Sequence, residues 1–538
     1  MKEGSSNVAK NSAIMSIAVF FSRILGLVRD QVMAAFFGTS FVNDAFNIGF
    51  YIPNLLRRLF GEGALSAAFV PIYNELGIKK GKAYQLNFAL NVLSILSFLL
   101  LFLTMIGMIF SPLIVNLLYP GLAPETAELA SKLCRIMFPY LFLIGLSSTF
   151  IAILNSHNFF FITGLSSALL NVGWVLLLVS GSVITKYLYS ETQMSRLVFF
   201  AAYGVMLGGF LQTIINLPFL KRIGYSFEII LKFKSEAMKN LWYRFIPGMI
   251  GLGIREINMV ADAIIASFLP IGSITTLGFG NRLMQLPLGI FGISIGTAVL
   301  PEYSKQFTEK RWDAISETLR FSIHYVLYIM LPITITMIVG SETFVRLIFQ
   351  RGAFGETAVF MTKSALVFYV LGLSFYGLNQ AVTPVFYAAK DTKTPVKIAG
   401  IMVITNISLN LILVQFMAHA GLAFATSITA GLQFLIMIIV LKRRFPLIKL
   451  KKLLNNIIKI FIICLMLLIS LQVLNHIIFP KLSNLEILSN LKPIFLNLLN
   501  TIMLLTVSLI VSITGFNLLK PDYYQDISQK LCRRFLKK

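Results

Sequence analysis

Ser22-Arg23-Ile24-Leu25-Gly26-Leu27-Val28-Arg29-Asp30 sets two arginines and an aspartate inside a stretch otherwise apolar enough to cross a bilayer. An ionisable side chain at membrane depth costs about 3 kcal/mol or more, so it marks a functional position by default. On a helix turning about 100° per residue, with Arg23 at zero, Asp30 lies about 20° away, Gly26 about 60°, Ser22 about 100° and Arg29 about 120°, all in one direction. Ile24, Leu25 and Val28 fall outside that arc. The polar groups share one face, with a side-chain-free glycine in its middle, and lipid is not its partner.

The rest of the chain agrees with a bilayer setting. Of its 538 residues 57% are hydrophobic and only 13% charged, and the mean hydropathy is +0.82. Soluble domains carry about 25% charged residues. At roughly 20 apolar residues per crossing, the chain divides into about fourteen spans: 12–38, 41–60, 86–111, 131–154, 159–184, 198–219, 241–268, 274–300, 318–340, 362–388, 396–416, 420–441, 457–479 and 494–518. The fold class is therefore an all-α polytopic membrane protein. A cleaved secretory signal is excluded, because Met1 to Lys10 leads into a full-length span with many more behind it.

The net charge of +24 could suggest a nucleic-acid partner, but its placement argues for topology. With the N-terminus in the cytoplasm, 31 of the 46 lysines and arginines fall on cytoplasmic segments. That is the positive-inside pattern, and it puts both termini in the cytoplasm. The basic run Lys442-Arg443-Arg444 and Lys449-Leu450-Lys451-Lys452 fits the same reading, facing anionic lipid. Cys134, Cys464 and Cys532 are scattered without metal-ligand spacing, which points to free thiols.

The chain repeats itself at an offset of about 230 residues, a period long enough for a whole lobe. Ala68-Phe69-Val70-Pro71-Ile72-Tyr73 answers Ala298-Val299-Leu300-Pro301-Glu302-Tyr303, and Glu125-Thr126-Ala127 answers Glu356-Thr357-Ala358. Asn171 with Leu177-Leu178-Val179 answers Asn406 with Ile412-Leu413-Val414. Six spans per repeat, an even number, give copies entering the membrane in the same orientation. The expected domains are an N-lobe over 1–222, a C-lobe over 223–444, and a two-helix appendage with a tail over 445–538. Substrate would sit between the lobes, with access alternating as they rock.

Along the second span Asp44, Asn47, Asn54, Arg57, Arg58 and Glu62 fall on one face, kinked by Pro53. Four arginines (Arg23, Arg29, Arg57, Arg58) would thus meet three carboxylates (Asp30, Asp44, Glu62), with Arg255 and Arg282 added from the second half. Internal ion pairing that only joins helices is one reading. The favoured one has carboxylates positioning arginines whose remaining donors take an anion, because the planar guanidinium fork suits phosphate. Arg23, Arg29, Asp30, Asp44, Asn54, Arg57, Arg58 and Arg282 are the candidate substrate-binding residues, and Gly26 a candidate helix hinge. Asp262, with Asn406 and Asn410 four apart on one face and Thr426 in the next span, offers the oxygens a monovalent cation such as sodium needs. The competing reading is hydrogen bonding between helices.

No HExxH or Walker A pattern occurs, and the four histidines are scattered. An enzyme or ATP-driven pump is disfavoured, so any driving force is an ion gradient, the membrane potential or the substrate's own gradient.

These residues also carry a resemblance. Ser22-Arg23-x-Leu25-Gly26-x-x-Arg29-Asp30, Asp44-Ala45-Phe46 and Pro53-Asn54-Leu55-Leu56-Arg57-Arg58-Leu59-Phe60-x-Glu62-Gly63-Ala64 closely resemble the MurJ (MviN) lipid II flippases of the MOP exporter superfamily. The likeness continues through Ala68-Phe69-Val70-Pro71, Arg282-Leu283-Met284 and Lys393-Thr394-Pro395-Val396-Lys397. It implies movement of undecaprenyl-pyrophosphate-linked disaccharide-pentapeptide to the outer leaflet for peptidoglycan assembly. It further implies that Arg23, Arg29, Arg57, Arg282 and Asp44 are needed in a cationic cavity. The two last spans would hold the lipid tail, and Asp262, Asn406, Asn410 and Thr426 would match a sodium site of some relatives. One departure is that Asn281 and Gln285 stand where some relatives carry acids. Cell-wall synthesis proteins are possible partners. A flippase for another polyprenyl-linked sugar and a non-transporting cell-wall scaffold are the alternatives.

Overall fold

The computed structural model describes residues 21–60, 64–189, 194–226, 228–449, 457–485, 488 and 491–525. The start of the first expected span, Glu62, most of the Lys449–Lys452 run, Cys532 and the end of the tail lie outside the described residues. Among the described residues all regular structure is helical, as the long apolar runs dictate: in lipid every backbone N–H and C=O must be satisfied within its own segment.

Among the described residues eleven helices are long and apolar enough to cross a membrane, from Lys82–Ile109 to Pro493–Leu519. The three further expected spans differ for a stated reason. The segment 12–38 lies partly outside the described residues, and 41–60 and 241–268 fall in helices that carry charge, among them Asp44, Arg57 and Arg58 in one and Glu256 and Asp262 in the other. Lys82–Ile109 carries an exposed apolar face, where Phe98, Leu101, Phe102 and Met105 are between 44% and 57% exposed. That face would be untenable in water.

The chain divides into two compact units, Met1–Thr275 with Arg351–Phe354, and Thr276–Gln350 with Gly355–Lys538. The division falls later than the expected lobe boundary at 222/223, because the helix that would open the second lobe packs with the first. Its residues Met238, Leu241 and Phe245 are buried in the first unit's core.

In the first unit α1 (21–37) is followed by α2 (Phe41–Phe60), α3 (Ala64–Lys80), α4 (Lys82–Ile109), α5 (Ser111–Leu118), α6 (Pro124–Met137) and α7 (Tyr140–Ser156). Then come α8 (Phe160–Tyr189), α9 (Met194–Ile214), α10 (Leu217–Ile223) and α11 (Glu236–Ala266). Trp174 of α8 ties three helices together. Its ring meets Phe46 and Phe50 of α2 at 4.9 and 5.0 Å, and its indole N–H donates to Met33 Sδ of α1 at 3.3 Å.

Small residues set the closest helix approach. A Cβ on Gly208 would lie 2.6 Å from the Leu170 carbonyl oxygen, and one on Gly173 would lie 2.4 Å from the Gly208 nitrogen. Membrane helices associate through such close backbone packing, since lipid gives apolar side chains no reason to leave it. Gly208→Leu should therefore separate α8 from α9 at a cost of about 3 kcal/mol, the upper end for overpacking. The readout is the fraction of protein surviving detergent extraction as a monodisperse species.

The repeat is also written in contacts inside this unit. Ala353 N–H donates to the Ala35 carbonyl at 2.8 Å, and Gly121 N–H donates to Ser267 Oγ at 3.1 Å. Positions 35 and 267, like 121 and 353, stand 232 residues apart, so the end of α1 and the end of α11 each receive the loop two helices on in the opposite repeat. Gly352, at φ +54°, fits the first contact because a Cβ there would meet the Ala35 carbonyl at 2.3 Å.

Helix α12 (Ser273–Pro287) begins in the first unit and passes into the second after Thr275; the wider π turn Leu288–Gly292, α13 (Ile293–Thr308) and α14 (Trp312–Val339) follow. After α15 (Ser341–Phe349) come α16 (Glu356–Leu371), α17 (Leu373–Ala388), α18 (Lys393–Met417) and α19 (His419–Arg444). The chain ends with α20 (Ile457–Val473), α21 (Phe479–Ser483) and α22 (Pro493–Leu519). Helices α20 and α22 lie against α14 through Tyr328, Ile460, Ile463 and Phe516. Polar bonds fix their register: Thr336 Oγ1 donates to Ser508 Oγ at 2.7 Å, and Asn500 Nδ2 reaches Thr343 Oγ1 at 3.0 Å and Asn475 Oδ1 at 3.1 Å.

Candidate functional site: charged groups inside the spanning helices

Arg29 and Asp30 are both buried on α1. Arg29 donates to Asp30 Oδ1 from Nε at 3.1 Å and from Nη2 at 2.7 Å, and its Nη1 donates to Asn171 Oδ1 at 3.1 Å. The guanidinium carbon sits 4.4 Å from the centre of the Trp174 ring. Three of its five N–H donors are thus held, and its flat face lies on an indole. The helical wheel set Asp30 nearest Arg23, yet it bonds its immediate neighbour, because the long Arg29 side chain folds back along the helix to reach it. Arg23 is exposed, and no described residue pairs with it.

Gly26 faces the same node. A Cβ there would find Asn171 Nδ2 at 3.8 Å and Oδ1 at 4.0 Å, ordinary contact distances, and α1 runs as continuous helix through it. Gly26→Ala should accordingly be tolerated. Gly26→Leu should push the Asn171 amide off Arg29 and lower transport at least tenfold while leaving yield near normal, measured as translocation per folded molecule.

Asp44 is differently used. Its Oδ2 accepts the Gly272 N–H at 2.5 Å, and its Oδ1 accepts the Thr275 N–H at 2.8 Å and the Thr275 hydroxyl at 2.6 Å. The carboxylate therefore caps the first turn of α12, where unpaired N–H groups and the positive helix end await an anion. Asn47 Nδ2 adds a bond to Thr275 Oγ1 at 3.0 Å, and Asn43 Nδ2 one to the Gly38 carbonyl at 2.6 Å. Gly272, at φ +89°, allows the approach, since a Cβ would meet the Thr39 carbonyl oxygen at 2.4 Å.

At the other end of α2, Asn54 Oδ1 accepts from Arg57 Nε at 2.8 Å. Arg58 Nη1 donates to Glu256 Oε2 at 3.3 Å and lies 3.2 Å from Met259 Sδ. Glu256 is 8% exposed, whereas the Arg58 side chain is 33% exposed. No described residue takes the Nε and Nη2 donors of Arg58. Glu256 corrects the earlier tally of three carboxylates against four arginines. Its position next to Arg255 within an apolar span was the signal the sequence carried. Asn171 and Trp174 were likewise missed as partners of Arg29; of the two, only Asn171 had been singled out, and only by the repeat.

Of the cation set, Asp262 belongs to the first unit, where Asn258 Nδ2 approaches its Oδ2 at 3.5 Å. Asn406, Asn410 and Thr426 belong to the second. Asn410 Nδ2 donates to Asn406 Oδ1 at 2.9 Å, and the hydroxyl that receives the Asn406 amide, at 3.4 Å, is Thr429. Thr426 instead donates to the Leu422 carbonyl at 2.8 Å. Arg282 is exposed on α12, and Gln285 Nε2 donates to Asn281 Oδ1 one turn apart.

Membrane-spanning helices that spend buried carboxylates, amides and an indole on holding guanidinium groups define a polytopic transporter with a charged interior. Residues 33–514 match the family model described as lipid II flippase MurJ, and the chain belongs to that family. It is 33% identical over 437 residues to the probable lipid II flippase MurJ of Vibrio cholerae, covering 80% of this chain and 82% of that one. With the probable lipid II flippase MurJ of Rickettsia prowazekii the identity is 33% over 423 residues, covering 78% and 81%. A solved lipid II flippase MurJ in an inward closed conformation superposes with a TM-score of 0.75 at 29% identity, covering 94% of this chain and 99% of that one. An inward-facing multidrug MATE transporter of the MOP superfamily shares the fold alone, at 15% identity and a TM-score of 0.61.

Proposed function

We propose that this protein moves lipid II from the inner to the outer leaflet of the bacterial cytoplasmic membrane, with both termini in the cytoplasm. It does so as a transporter that forms no covalent intermediate. The observation that carries the reading is the arrangement around Arg58, whose Nη1 is fixed by Glu256 while its Nε and Nη2 edge meets no described residue. A guanidinium edge offers two parallel donors, which suits one phosphate of a pyrophosphate. Arg57 supplies further positive charge on α2, Arg23 on α1 and Arg282 on α12.

In this mechanism Arg29 is a fixed charge more than a grasping hand, since Asp30, Asn171 and Trp174 hold it before substrate arrives. Preorientation spares the ordering cost of binding. The two six-span repeats rock about the substrate, while its polyprenyl tail stays in lipid beside α20 and α22. Sodium is proposed as the coupling ion. The oxygens of Asn406, Asn410 and Thr426 in the second unit are hard donors of the kind it takes.

Binding to the purified full chain tests the anion reading. Undecaprenyl pyrophosphate should bind at least tenfold more tightly than undecaprenyl monophosphate. Arg23→Ala with Arg58→Ala should erase most of that preference, because a charge-assisted hydrogen bond is worth about 1.5–3 kcal/mol. Equal binding of the two lipids by the unaltered protein would refute it.

A further inference from the structure

An open groove lies in the first unit, and none of the arginines of α1 and α2 lines it. Its volume is about 560 Å³, and Asn74, Gly77, Ile78, Lys82, Gln85, Ser156 and His157 line it. Lys82 opens one candidate span and Ser156 closes another, so the groove sits where two helices reach the same membrane face.

Its wall carries donors without a carboxylate. The Tyr225 hydroxyl donates to the Tyr73 hydroxyl at 3.1 Å, which leaves the Tyr73 proton for His157 Nε2, 2.9 Å away. With the Tyr73 hydroxyl donating to Nε2, the neutral imidazole carries its proton on Nδ1. Burial, then the nearby Lys82 charge, hold the His157 pKa below its usual value and favour this neutral form. No described residue accepts from His157 Nδ1, from the Lys82 ammonium or from the Asn74 amide. Gln85 is already engaged, donating to the Tyr73 carbonyl at 3.2 Å, and Ser156 to the Ala152 carbonyl at 3.0 Å. The one neighbouring acid, Glu75, is paired outward with Lys79 at 2.6 Å. Ile78, 87% exposed, and the Lys80–Tyr84 pair stand beside the groove as an apolar and basic rim.

We propose that Lys82, His157 and Asn74 form a phosphate-binding site, separate from the arginines of α1 and α2. A tetrahedral dianion or monoanion can accept from donors that line one groove, one of them charged, and no acid on the wall repels it. The phosphate can belong to a lipid headgroup or to a small soluble molecule, and the two sources give different results in one experiment.

The full chain is reconstituted in nanodiscs of phosphatidylcholine with or without phosphatidylglycerol, and separately titrated with inorganic phosphate. Retained lipid is read by native mass spectrometry and stability by thermal unfolding. Lys82→Gln with Asn74→Ala should lower the preference for the site's anion about tenfold, as expected for losing one charged and one neutral hydrogen bond. Tyr73→Phe, which keeps every wall residue but frees the imidazole tautomer, should lower it about threefold, and Lys310→Gln should not change it. Retention of phosphatidylglycerol that follows this order assigns the site to lipid headgroups. Stabilisation by inorganic phosphate in this order, with no lipid preference, assigns it to soluble phosphate. If neither anion distinguishes the variants from the unaltered protein, the site does not exist.

Discussion

Arg29→Ala is expected to abolish lipid II translocation and to destabilise the protein by about 3–5 kcal/mol, the cost of stripping one partner from a buried ion pair. The loss has two separable parts. Asp30, 8% exposed, is left without the guanidinium that satisfies it, and Trp174 loses the group stacked on its face. Adding Asp30→Ala removes the orphaned charge and should recover most of the stability. It should not recover translocation, because the positive charge on α1 is still missing. Melting of the purified single and double variants, set beside their translocation rates, checks this. Recovery of both properties together in the double variant would make Arg29 a helix-joining group and nothing more.

Asp44→Ala is the second large effect. Three donors, the Gly272 and Thr275 N–H groups and the Thr275 hydroxyl, lose their acceptor at one stroke. A buried polar group left unsatisfied costs about 1–3 kcal/mol, so the loss should approach that of Arg29→Ala. Asp44→Asn keeps one acceptor oxygen and should fall between. The expected structural signature is local: faster amide exchange at Gly272 and Thr275, with α8 and α9 unchanged. Uniformly faster exchange across the unit would instead mean general unfolding.

Much of this was legible in the residues. The apolar runs specify membrane helices because only helices or closed barrels satisfy the backbone in lipid. The repeat at about 230 residues reappears as paired contacts of Ala35 with Ala353 and of Ser267 with Gly121. That Arg29, Asp30 and Gly26 share a face of α1 was readable from helical spacing, whereas Arg23 is exposed apart from the buried pair.

Partner choice was not readable, because it depends on which helices pack together. Wheel angles could not say that Arg29 would find Asn171, 142 residues away, or that Arg58 would find Glu256, 198 residues away. Asp44 looked like a carboxylate for an arginine, yet it caps a helix start that only tertiary packing brings near. The unit boundary moved for the same reason: α11 reads as the opening of a second repeat, but its apolar face fits the first unit's core.

The most direct measurement is translocation in cells depleted of their own lipid II flippase and supplied with this chain, with lipid II at the outer surface read by an externally added probe. The unaltered protein should restore surface lipid II, and Arg23→Ala with Arg58→Ala, folded and present at equal level, should leave it at the depleted baseline. Surface lipid II restored equally by that variant would contradict a guanidinium-lined route for the pyrophosphate.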